Sequence, residues 1–292
     1  MSTTEIKRVV VDSGISVFYR TASPENNSSA PTVLLLHGYP TSSHQYRNLI
    51  PILSKHYRVI APDLPGFGFT TVPAEREYTY TFASLATTIG AFLDALSIKS
   101  FAVYIFDYGA PVALRLALQR PEAITAIISQ NGNAYEDGLG AGWAPIRKYW
   151  ESGSVEDRKI VNDGVVTFEA TKWQYTHGTR DPEAIAPESY TLDWALLQRP
   201  GNLDIQLDLL YDYQNNVALY PQFQEYFRKS QVPLLAVWGK HDPFFIPPGA
   251  EAYKRDLPKA EVVFLDAGHF AGETETAEIA GLMLRFLEQV FA

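Results

Sequence analysis

Short apolar runs alternate with longer segments of helical periodicity along most of the chain. Near-continuous apolar runs of about four to eight residues are typical of buried parallel strands. The runs that predict strands are Arg8 to Val11 and Ser16 to Arg20, which form a leading hairpin, then Val33 to Leu36, Tyr57 to Ala61, Phe101 to Phe106, Ile124 to Ser129, Leu234 to Trp238 and Glu261 to Leu265. Helices are predicted over 43–54, 81–95, 110–119, 248–255 and 274–290. This alternation predicts an α/β protein with a mostly parallel, doubly wound sheet.

The segment 134–227 interrupts this alternation and shows no strong strand pattern. It holds four of the 5 tryptophans and eight of the 17 tyrosines of the chain. We interpret it as a helical insertion, with residues 1–133 and 228–292 forming the core domain. An aromatic-rich insertion after one strand of an α/β sheet is typical of a cap over a ligand pocket. The alternative is a helical subdomain whose aromatic residues pack only in a small core of their own.

Composition excludes several classes of function. The chain has 292 residues and a net charge of -9, and it has no basic run, so we expect neither nucleic acid nor an anionic membrane as a partner. It has no cysteine, which excludes disulfides, thiolate metal sites and a cysteine nucleophile. The first residues lack the apolar core of a signal peptide, and no apolar stretch reaches the length of a membrane span. We expect a soluble, cytoplasmic protein without a metal or other cofactor.

Four motifs that carry polar or glycine residues stand where predicted strands end. They are His37-Gly38-Tyr39-Pro40, Phe106-Asp107-Tyr108-Gly109, Trp238-Gly239-Lys240-His241-Asp242-Pro243 and Ala267-Gly268-His269-Phe270. A carboxylate at the end of a buried strand is unfavourable unless a neighbouring group uses it. Because the carboxyl ends of parallel strands lie at one edge of the sheet, we expect these motifs to converge there.

In these motifs the chain resembles an α/β-hydrolase, specifically the branch with an aspartate nucleophile that contains epoxide hydrolases and haloalkane dehalogenases. The resemblance covers nearly the whole chain, and the order nucleophile, acid, histidine is the order of that family. The loop Asp-Leu-Pro-Gly-Phe-Gly at 63–68 is also similar to a family loop. The resemblance implies an α/β-hydrolase fold with an inserted helical cap.

The resemblance implies a catalytic role for Asp107, Asp242 and His269. An aspartate is already ionised at neutral pH, so it can attack a carbon electrophile without a base and form an alkyl ester. His269 would then activate a water toward the ester, with Asp242 orienting the imidazole ring. The alternatives are structural: Asp107 and Asp242 as helix caps, and His269 as a packed, hydrogen-bonded histidine.

The neighbouring positions complete the predicted site. The backbone N–H groups of Tyr39 and Tyr108 are the candidate donors to the ester oxygen, and the Tyr39–Pro40 peptide is a candidate for a cis bond. His37 is usually structural in the family. Asn131 and Asn133 follow the Ile124 to Ser129 strand, where some dehalogenases carry their acid, and the amides here support Asp242 as the acid. The remaining histidines show no metal-ligand spacing.

The choice between an epoxide and a halide depends on the hydrogen-bond donors around the leaving group. Many haloalkane dehalogenases have a tryptophan directly after the nucleophile, where this chain has Tyr108, and an aromatic residue such as Tyr39 in the His-Gly-X-Pro motif is more typical of epoxide hydrolases. The spacings of Tyr149 and Tyr211 resemble those of the two ring-opening tyrosines of epoxide hydrolases. Trp150 matches a halide contact of fluoroacetate dehalogenases, which keeps dehalogenation open.

Three further points bear on the insertion and on the departures from the family pattern. Tyr211 and Tyr213 are about 200° apart on a helix, so at most one of them faces the pocket. Ile105 replaces the usual small residue two positions before the nucleophile, and Gly272 replaces a usual leucine, which would open space beside His269.

The leading hypothesis is an epoxide hydrolase acting on a small apolar electrophile with water. The alternatives are a haloalkane or haloacid dehalogenase and a non-catalytic small-molecule-binding protein on the same fold.

Overall fold

A computed structural model describes residues 3–12, 14–25, 27 and 29–292. Its strands are β1 (Glu5–Val11), β2 (Ile15–Ala22), β3 (Thr32–Leu36), β4 (Arg58–Pro62), β5 (Phe101–Phe106), β6 (Ile124–Gln130), β7 (Leu234–Gly239) and β8 (Glu261–Leu265). They form one eight-stranded sheet in the order β1-β2-β4-β3-β5-β6-β7-β8. β2 is antiparallel to β1 and β4, and the remaining pairs are parallel. The predicted α/β architecture, including the leading hairpin, is therefore confirmed.

The central strand β5 is completely buried because helices cover both faces of the sheet. Alternate side chains of a strand point to opposite faces, and here Val103 and Ile105 join one core cluster while Tyr104 and Phe106 join the other. The register of β5 is fixed by β3 on one side and β6 on the other. This buried position makes the carboxyl end of β5 a rigid platform.

The helices of the core domain follow the predicted segments with local changes. They are α1 (Ile50–Leu53), α2 (Phe82–Ala95) and α3 (Gly109–Gln119) before the insertion, and α11 (Pro247–Asp256), α12 (Ala271–Thr274) and α13 (Thr276–Phe291) after it. The helix predicted over 43–54 is instead a 3-10 turn, Ser43–Tyr46, followed by α1. Pro51 lies at the start of α1, where its missing N–H is tolerated but cannot continue a preceding helix.

The chain between β6 and β7 is helical in the described residues. Its helices are α4 (Ala144–Ser152), α5 (Val155–Val165), α6 (Phe168–Thr176), α7 (Pro187–Leu197), α8 (Asn202–Asp212), α9 (Gln214–Val217) and α10 (Tyr220–Ser230). Buried aromatic residues of this segment belong to the same cluster as core residues of the sheet. The insertion therefore packs onto the core domain and does not form a separate small core.

Within the described ranges, none of the helices combines the length and apolarity that a membrane span requires.

Candidate active site

Asp107 occupies a tight turn between β5 and α3. Its φ is +47°, a left-handed conformation that is unusual for a residue other than glycine and is typical of strained turns at functional sites. Glycines make this turn possible, because a Cβ at Gly38 would collide with the Asp107 carboxylate and a Cβ at Gly109 would collide with the carbonyl of Leu36. The turn presents the carboxylate at the end of the central strand.

Two backbone N–H groups face the Asp107 carboxylate. The N–H of Tyr39 donates to Asp107 Oδ1 at 2.5 Å, and the N–H of Tyr108 also stabilises the ionised carboxylate. Burial nevertheless raises the pKa of Asp107 to about 6, although the charge of His269 and the two N–H groups act in the opposite direction. The Tyr39–Pro40 peptide is cis, as expected. The structure thus brings both predicted donors to Asp107.

His269 and Asp242 form a buried hydrogen-bonded pair beside Asp107. His269 Nδ1 lies 2.7 Å from Asp242 Oδ2, and Asp242 Oδ1 accepts from the N–H groups of Phe244 and Phe245 at 2.7 and 3.1 Å. Burial lowers the pKa of His269, but the charge and hydrogen bond of Asp242 and the charge of Asp107 outweigh it, so the pKa is raised overall. The imidazole of His269 is therefore oriented by the Asp242 carboxylate and lies in the electric field of the Asp107 carboxylate.

Two amide side chains, those of Asn131 and Gln130, form hydrogen bonds with the His269–Asp242 pair. Asn131 Nδ2 donates to Asp242 Oδ2 at 2.8 Å, while Asn131 Oδ1 accepts from the Gly239 N–H at 2.8 Å and from Gln130 Nε2 at 2.6 Å. Gln130 Nε2 also donates to the carbonyl of His269 at 3.0 Å. Sequence reasoning singled out Asn131 only as a position that lacks a carboxylate, and it missed Gln130. Both residues stand at the carboxyl end of β6, and β6 pairs with β7, the strand that precedes Asp242. The place of these residues at a strand end is the sequence signal that could have predicted that they lie near Asp242.

His37 has a structural role in this arrangement. Its Nε2 accepts from the Leu64 N–H at 2.9 Å, so Nδ1 carries the proton and faces the Gly38 carbonyl at 3.0 Å. Burial lowers the pKa of His37, which is consistent with a neutral ring. Asp63 acts in the same loop, because its two oxygens accept from the N–H groups of Ser43 and Phe69 at 2.8 and 2.7 Å.

The structure does not direct the predicted donors of the insertion toward Asp107. The Tyr149 hydroxyl accepts from Arg158 at 3.1 Å, and the Tyr149 ring packs against Tyr211 with centroids 4.7 Å apart. A Cβ built at Gly153 would lie 3.2 Å from the Tyr211 hydroxyl, which places that hydroxyl at the start of α5. The Trp150 indole N–H donates to the Leu210 carbonyl at 2.7 Å and is therefore already paired.

Tyr213, two residues after the predicted Tyr211, packs against Tyr108, the residue that follows Asp107. It is fully buried, and its ring lies 5.8 Å from that of Tyr108 and 4.4 Å from that of Trp143. Burial is the main cause of its raised pKa, and the charge of Asp107 contributes. Its hydroxyl has one long contact, 3.4 Å to Tyr220. The buried positions 206, 209, 210 and 213 recur at helical spacing, and this signal identifies Tyr213 as the inward-facing residue.

The two departures from the family pattern have different explanations. A Cβ on Gly132 would lie 3.0 Å from Ile105 Cγ1 and 3.1 Å from Ala110 Cβ, so the absence of a side chain at Gly132 makes room for the larger residue in β5. The expectation that Gly272 opens space beside His269 is wrong. A Cβ there would face Gln130 Oε1 at 3.7 Å and the Tyr104 hydroxyl at 3.8 Å.

A buried carboxyl group of the insertion was missed by the sequence analysis. Asp193 in α7 accepts a hydrogen bond from the Tyr175 hydroxyl at 2.5 Å, and the Tyr175 ring stacks on Phe270 at 3.7 Å. Burial raises the pKa of Asp193 well above its usual value. Nearby, Arg47 joins the insertion to the core by bonding Ser189, at 3.0 Å, and Glu273, at 2.8 Å. Among the described residues, no cluster of three or more His, Cys, Asp or Glu side chains is suited to hold a metal ion.

The sheet order, the turn at Asp107 and the buried His269–Asp242 pair define an α/β-hydrolase architecture. A sequence model of the alpha/beta hydrolase fold family matches residues 31–276. The chain belongs to this family and is a hydrolase.

Two relatives match this chain over most of its length. The chain is 49% identical over 277 residues to uncharacterized hydrolase YNR064C of Saccharomyces cerevisiae, covering 94% of this chain and 93% of that protein. It is 26% identical over 288 residues to a haloalkane dehalogenase of Psychrobacter cryohalolentis, covering 94% of this chain and 88% of that protein.

Solved structures show the same fold at low sequence identity. The epoxide hydrolase CorEH is 19% identical, with a TM-score of 0.79 over 99% of this chain and 100% of that chain. The haloalkane dehalogenase DbeA from Bradyrhizobium elkani is 21% identical, with a TM-score of 0.79 over 99% of both chains.

Proposed function

We propose that the protein hydrolyses small apolar epoxides to vicinal diols through an alkyl ester of Asp107. The observation that carries the proposal is the convergence of a buried carboxylate, two N–H donors and a His–Asp pair at one sheet edge. A carboxylate nucleophile suits a carbon electrophile with an oxygen or halide leaving group, because attack gives an ester and needs no deprotonation. The helical insertion serves as the cap over this site.

The reaction proceeds in two steps that balance. An Asp107 oxygen attacks a ring carbon, the carbon–oxygen bond breaks, and the departing alkoxide takes a proton. Water then adds to the ester carbonyl as His269 removes its proton, and Asp242 stabilises the imidazolium. The N–H groups of Tyr39 and Tyr108 stabilise the tetrahedral oxyanion. Collapse releases the diol, whose oxygen receives the proton from His269. The second proton of the water, left on the Asp107 carboxyl, returns to the tyrosine phenolate that protonated the alkoxide in the first step, which regenerates the Asp107 carboxylate. One water is consumed.

The donors around the site favour an epoxide over a halide. A halide needs N–H donors, but the indole N–H groups of Trp143, Trp150 and Trp238 are paired with backbone carbonyls at 3.1, 2.7 and 2.7 Å. An epoxide oxygen needs a hydroxyl that donates a proton as negative charge develops on it, and the hydroxyl of Tyr213 stays protonated and has only a long contact to Tyr220. We therefore assign Tyr213, in place of Tyr149 and Tyr211, as the group that protonates the opening ring.

Dehalogenation is the second candidate because relatives across much of the chain are haloalkane dehalogenases. The experiment that separates the candidates assays the purified protein with styrene oxide and with 1-bromobutane. Diol formation without bromide release supports the proposal, and bromide release without ring opening favours the dehalogenase. Loss of the stronger activity in Asp107→Asn excludes a contaminating enzyme. Absence of turnover and of any covalent adduct with both compounds favours the non-catalytic binding protein.

A further inference from the structure

A small polar cavity lies between the sheet and the C-terminal helices, beside Gln130. Its volume is about 10 Å³. Its walls are formed by Gln45, Tyr46, Leu49, Tyr104, Gln130, Gly272, Thr276 and Ile279. A cavity of this size has room for one water molecule, provided that two to four polar groups hold it.

Five of the residues that line this cavity have polar side chains, and one of them, Thr276, already donates to the Gly272 carbonyl. Within the described part of the chain, the buried Gln45 Nε2 and Tyr46 hydroxyl interact with each other but make no hydrogen bond of good geometry. The Tyr104 hydroxyl reaches Gln130 Oε1 only at 3.4 Å, which leaves capacity on both atoms. A buried donor without a well-aligned acceptor is destabilising, so this set of atoms calls for a small polar ligand.

Gly272 leaves the cavity open on the side of α12. A Cβ at this position would be in ordinary contact with Gln130 Oε1 and the Tyr104 hydroxyl, at 3.7 and 3.8 Å. A larger side chain, such as the leucine that is usual in the family, would therefore extend into the space between them. The glycine and the polar walls together form a site for a small polar molecule.

We propose that this cavity binds one ordered water molecule and that Gln130 couples the water to the catalytic pair. The water accepts hydrogen bonds from Gln45 Nε2 and the Tyr46 hydroxyl. It donates one hydrogen bond to Gln130 Oε1 and one to the Tyr104 oxygen. All four hydrogen-bonding positions of the water are used, and both donors gain a well-aligned acceptor.

Gln130 is the positioning residue in this chain of hydrogen bonds. With its oxygen fixed by the water, its two N–H bonds point to Asn131 Oδ1 at 2.6 Å and to the His269 carbonyl at 3.0 Å. Asn131 in turn holds Asp242 Oδ2 at 2.8 Å, the same oxygen that bonds His269. Since His269 acts in the hydrolytic step of the proposed function, on which this inference rests, disturbing the chain should slow ester hydrolysis and spare ester formation.

The first test is a high-resolution crystal structure of the wild-type protein. The inference expects a well-ordered water peak within hydrogen-bond distance of Gln45, Tyr46, Tyr104 and Gln130. A cavity without density, or one closed by a rotated Gln45 or Tyr46 side chain, overturns it. This readout does not depend on activity, so it stands even if the protein turns over no epoxide.

The second test fills the cavity with Gly272→Leu and uses Gly281→Leu as the matched control. A Cβ at Gly281 meets no atom within 4 Å, and the position is exposed. Outer-shell hydrogen bonds at metal sites are worth about 10–100-fold in activity, and we expect about tenfold slower ester hydrolysis in Gly272→Leu. Ester formation should be unchanged, so the alkyl ester should accumulate at steady state. The control should behave like wild type.

Two further variants keep the inference falsifiable if Gly272→Leu fails to fold. Gly272→Ala adds one methyl group in ordinary contact distance, and Gln130→Glu replaces the bonding amide by an isosteric carboxyl. Both should slow hydrolysis selectively. In Gly272→Ala, the acid limb of the hydrolysis rate should move to lower pH, because a loosened Asp242 raises the pKa of His269 less. Normal hydrolysis in folded Gly272→Ala and Gln130→Glu overturns the coupling. If His269→Gln still accumulates ester in that case, the proposed function survives it.

Discussion

The backbone N–H of Tyr39 lies 2.5 Å from Oδ1 of Asp107, and this short hydrogen bond joins the loop after β3 to the turn after β5. It stabilises the ionised form of a carboxyl group whose pKa burial raises to about 6. The Asp107 carboxyl is therefore ionised at neutral pH, but its pKa is much closer to neutrality than that of an ordinary aspartate.

The first prediction concerns the pH dependence of ester formation. Only ionised Asp107 attacks, so the rate should rise with pH through the pKa of Asp107. In His269→Gln this rate is isolated from hydrolysis, and its midpoint should lie at or somewhat above pH 6, because the positive field of His269, which lowers that pKa, is gone. Rapid-quench measurement of adduct formation checks this. A rate of ester formation that does not change between about pH 5 and pH 8 would exclude Asp107 as the titrating nucleophile, because this range brackets the expected midpoint.

The second prediction concerns stability. Because the pKa of Asp107 is raised on folding, the native state binds more protons than the unfolded state between about pH 4 and pH 6, and stability falls as pH rises through that range. Asp107→Asn removes this penalty, so the variant should be more stable than wild type at pH 8, by up to about 3 kcal/mol, and no more stable below pH 4. Urea unfolding at both pH values measures the difference.

A control of opposite sign is available on the surface. Hydrogen bonds from Lys240 and His241 lower the pKa of Asp266 to about 2, so Asp266→Asn should lower stability at neutral pH or leave it unchanged. An equal gain of stability in both variants would show that the effect is not specific to the active-site charge.

The third prediction separates two tyrosines that lie two residues apart. Tyr213 is buried against Tyr108, whereas Tyr211 packs on Tyr149. General acid catalysis typically contributes about 10²–10⁴-fold, so Tyr213→Phe should slow ring opening of styrene oxide by at least about tenfold. Tyr211→Phe is the matched control and should retain near-normal turnover. The reverse order would return the role to Tyr211, and two normal variants would remove tyrosine acid catalysis from the proposal.

The strands were predictable from the sequence because a buried strand leaves a continuous apolar run. Phe101–Phe106 and Glu261–Leu265 have the predicted bounds, and β3, β6 and β7 are each longer than predicted by one residue at one end. β4 is shifted by one residue at both ends, and the two hairpin strands are longer than predicted by up to three residues at an end. The positions of Asp107, Asp242 and His269 were predictable for the same reason, since each follows such a run, and their catalytic roles stay a prediction. The apolar pattern over 43–54 predicted a single helix, because the pattern does not reveal that Pro51 interrupts it. The 3-10 turn and the short helix α1 were therefore not predicted as two elements.

The insertion was less predictable because its contacts depend on tertiary packing. The spacing of Tyr149 and Trp150 along the chain does not reveal that Arg158 bonds the Tyr149 hydroxyl or that the Trp150 indole N–H donates to the Leu210 carbonyl. The sequence analysis selected Tyr211 from its spacing, whereas the ring of Tyr213 is the one that packs against Tyr108; the role of either tyrosine stays a prediction. The side chain of Gln130 was missed because a polar residue at the end of an apolar strand has no distinctive pattern until its partners are known.

The central claim is the covalent ester on Asp107, and His269→Gln tests it most directly. The glutamine cannot act as the base for water, so the ester should form and persist. Intact-mass measurement after addition of styrene oxide should show the protein plus one substrate molecule, and peptide mapping should place the adduct on Asp107. The double variant Asp107→Asn, His269→Gln should show no adduct. Normal turnover by His269→Gln, or an adduct that persists in the double variant, would contradict the account.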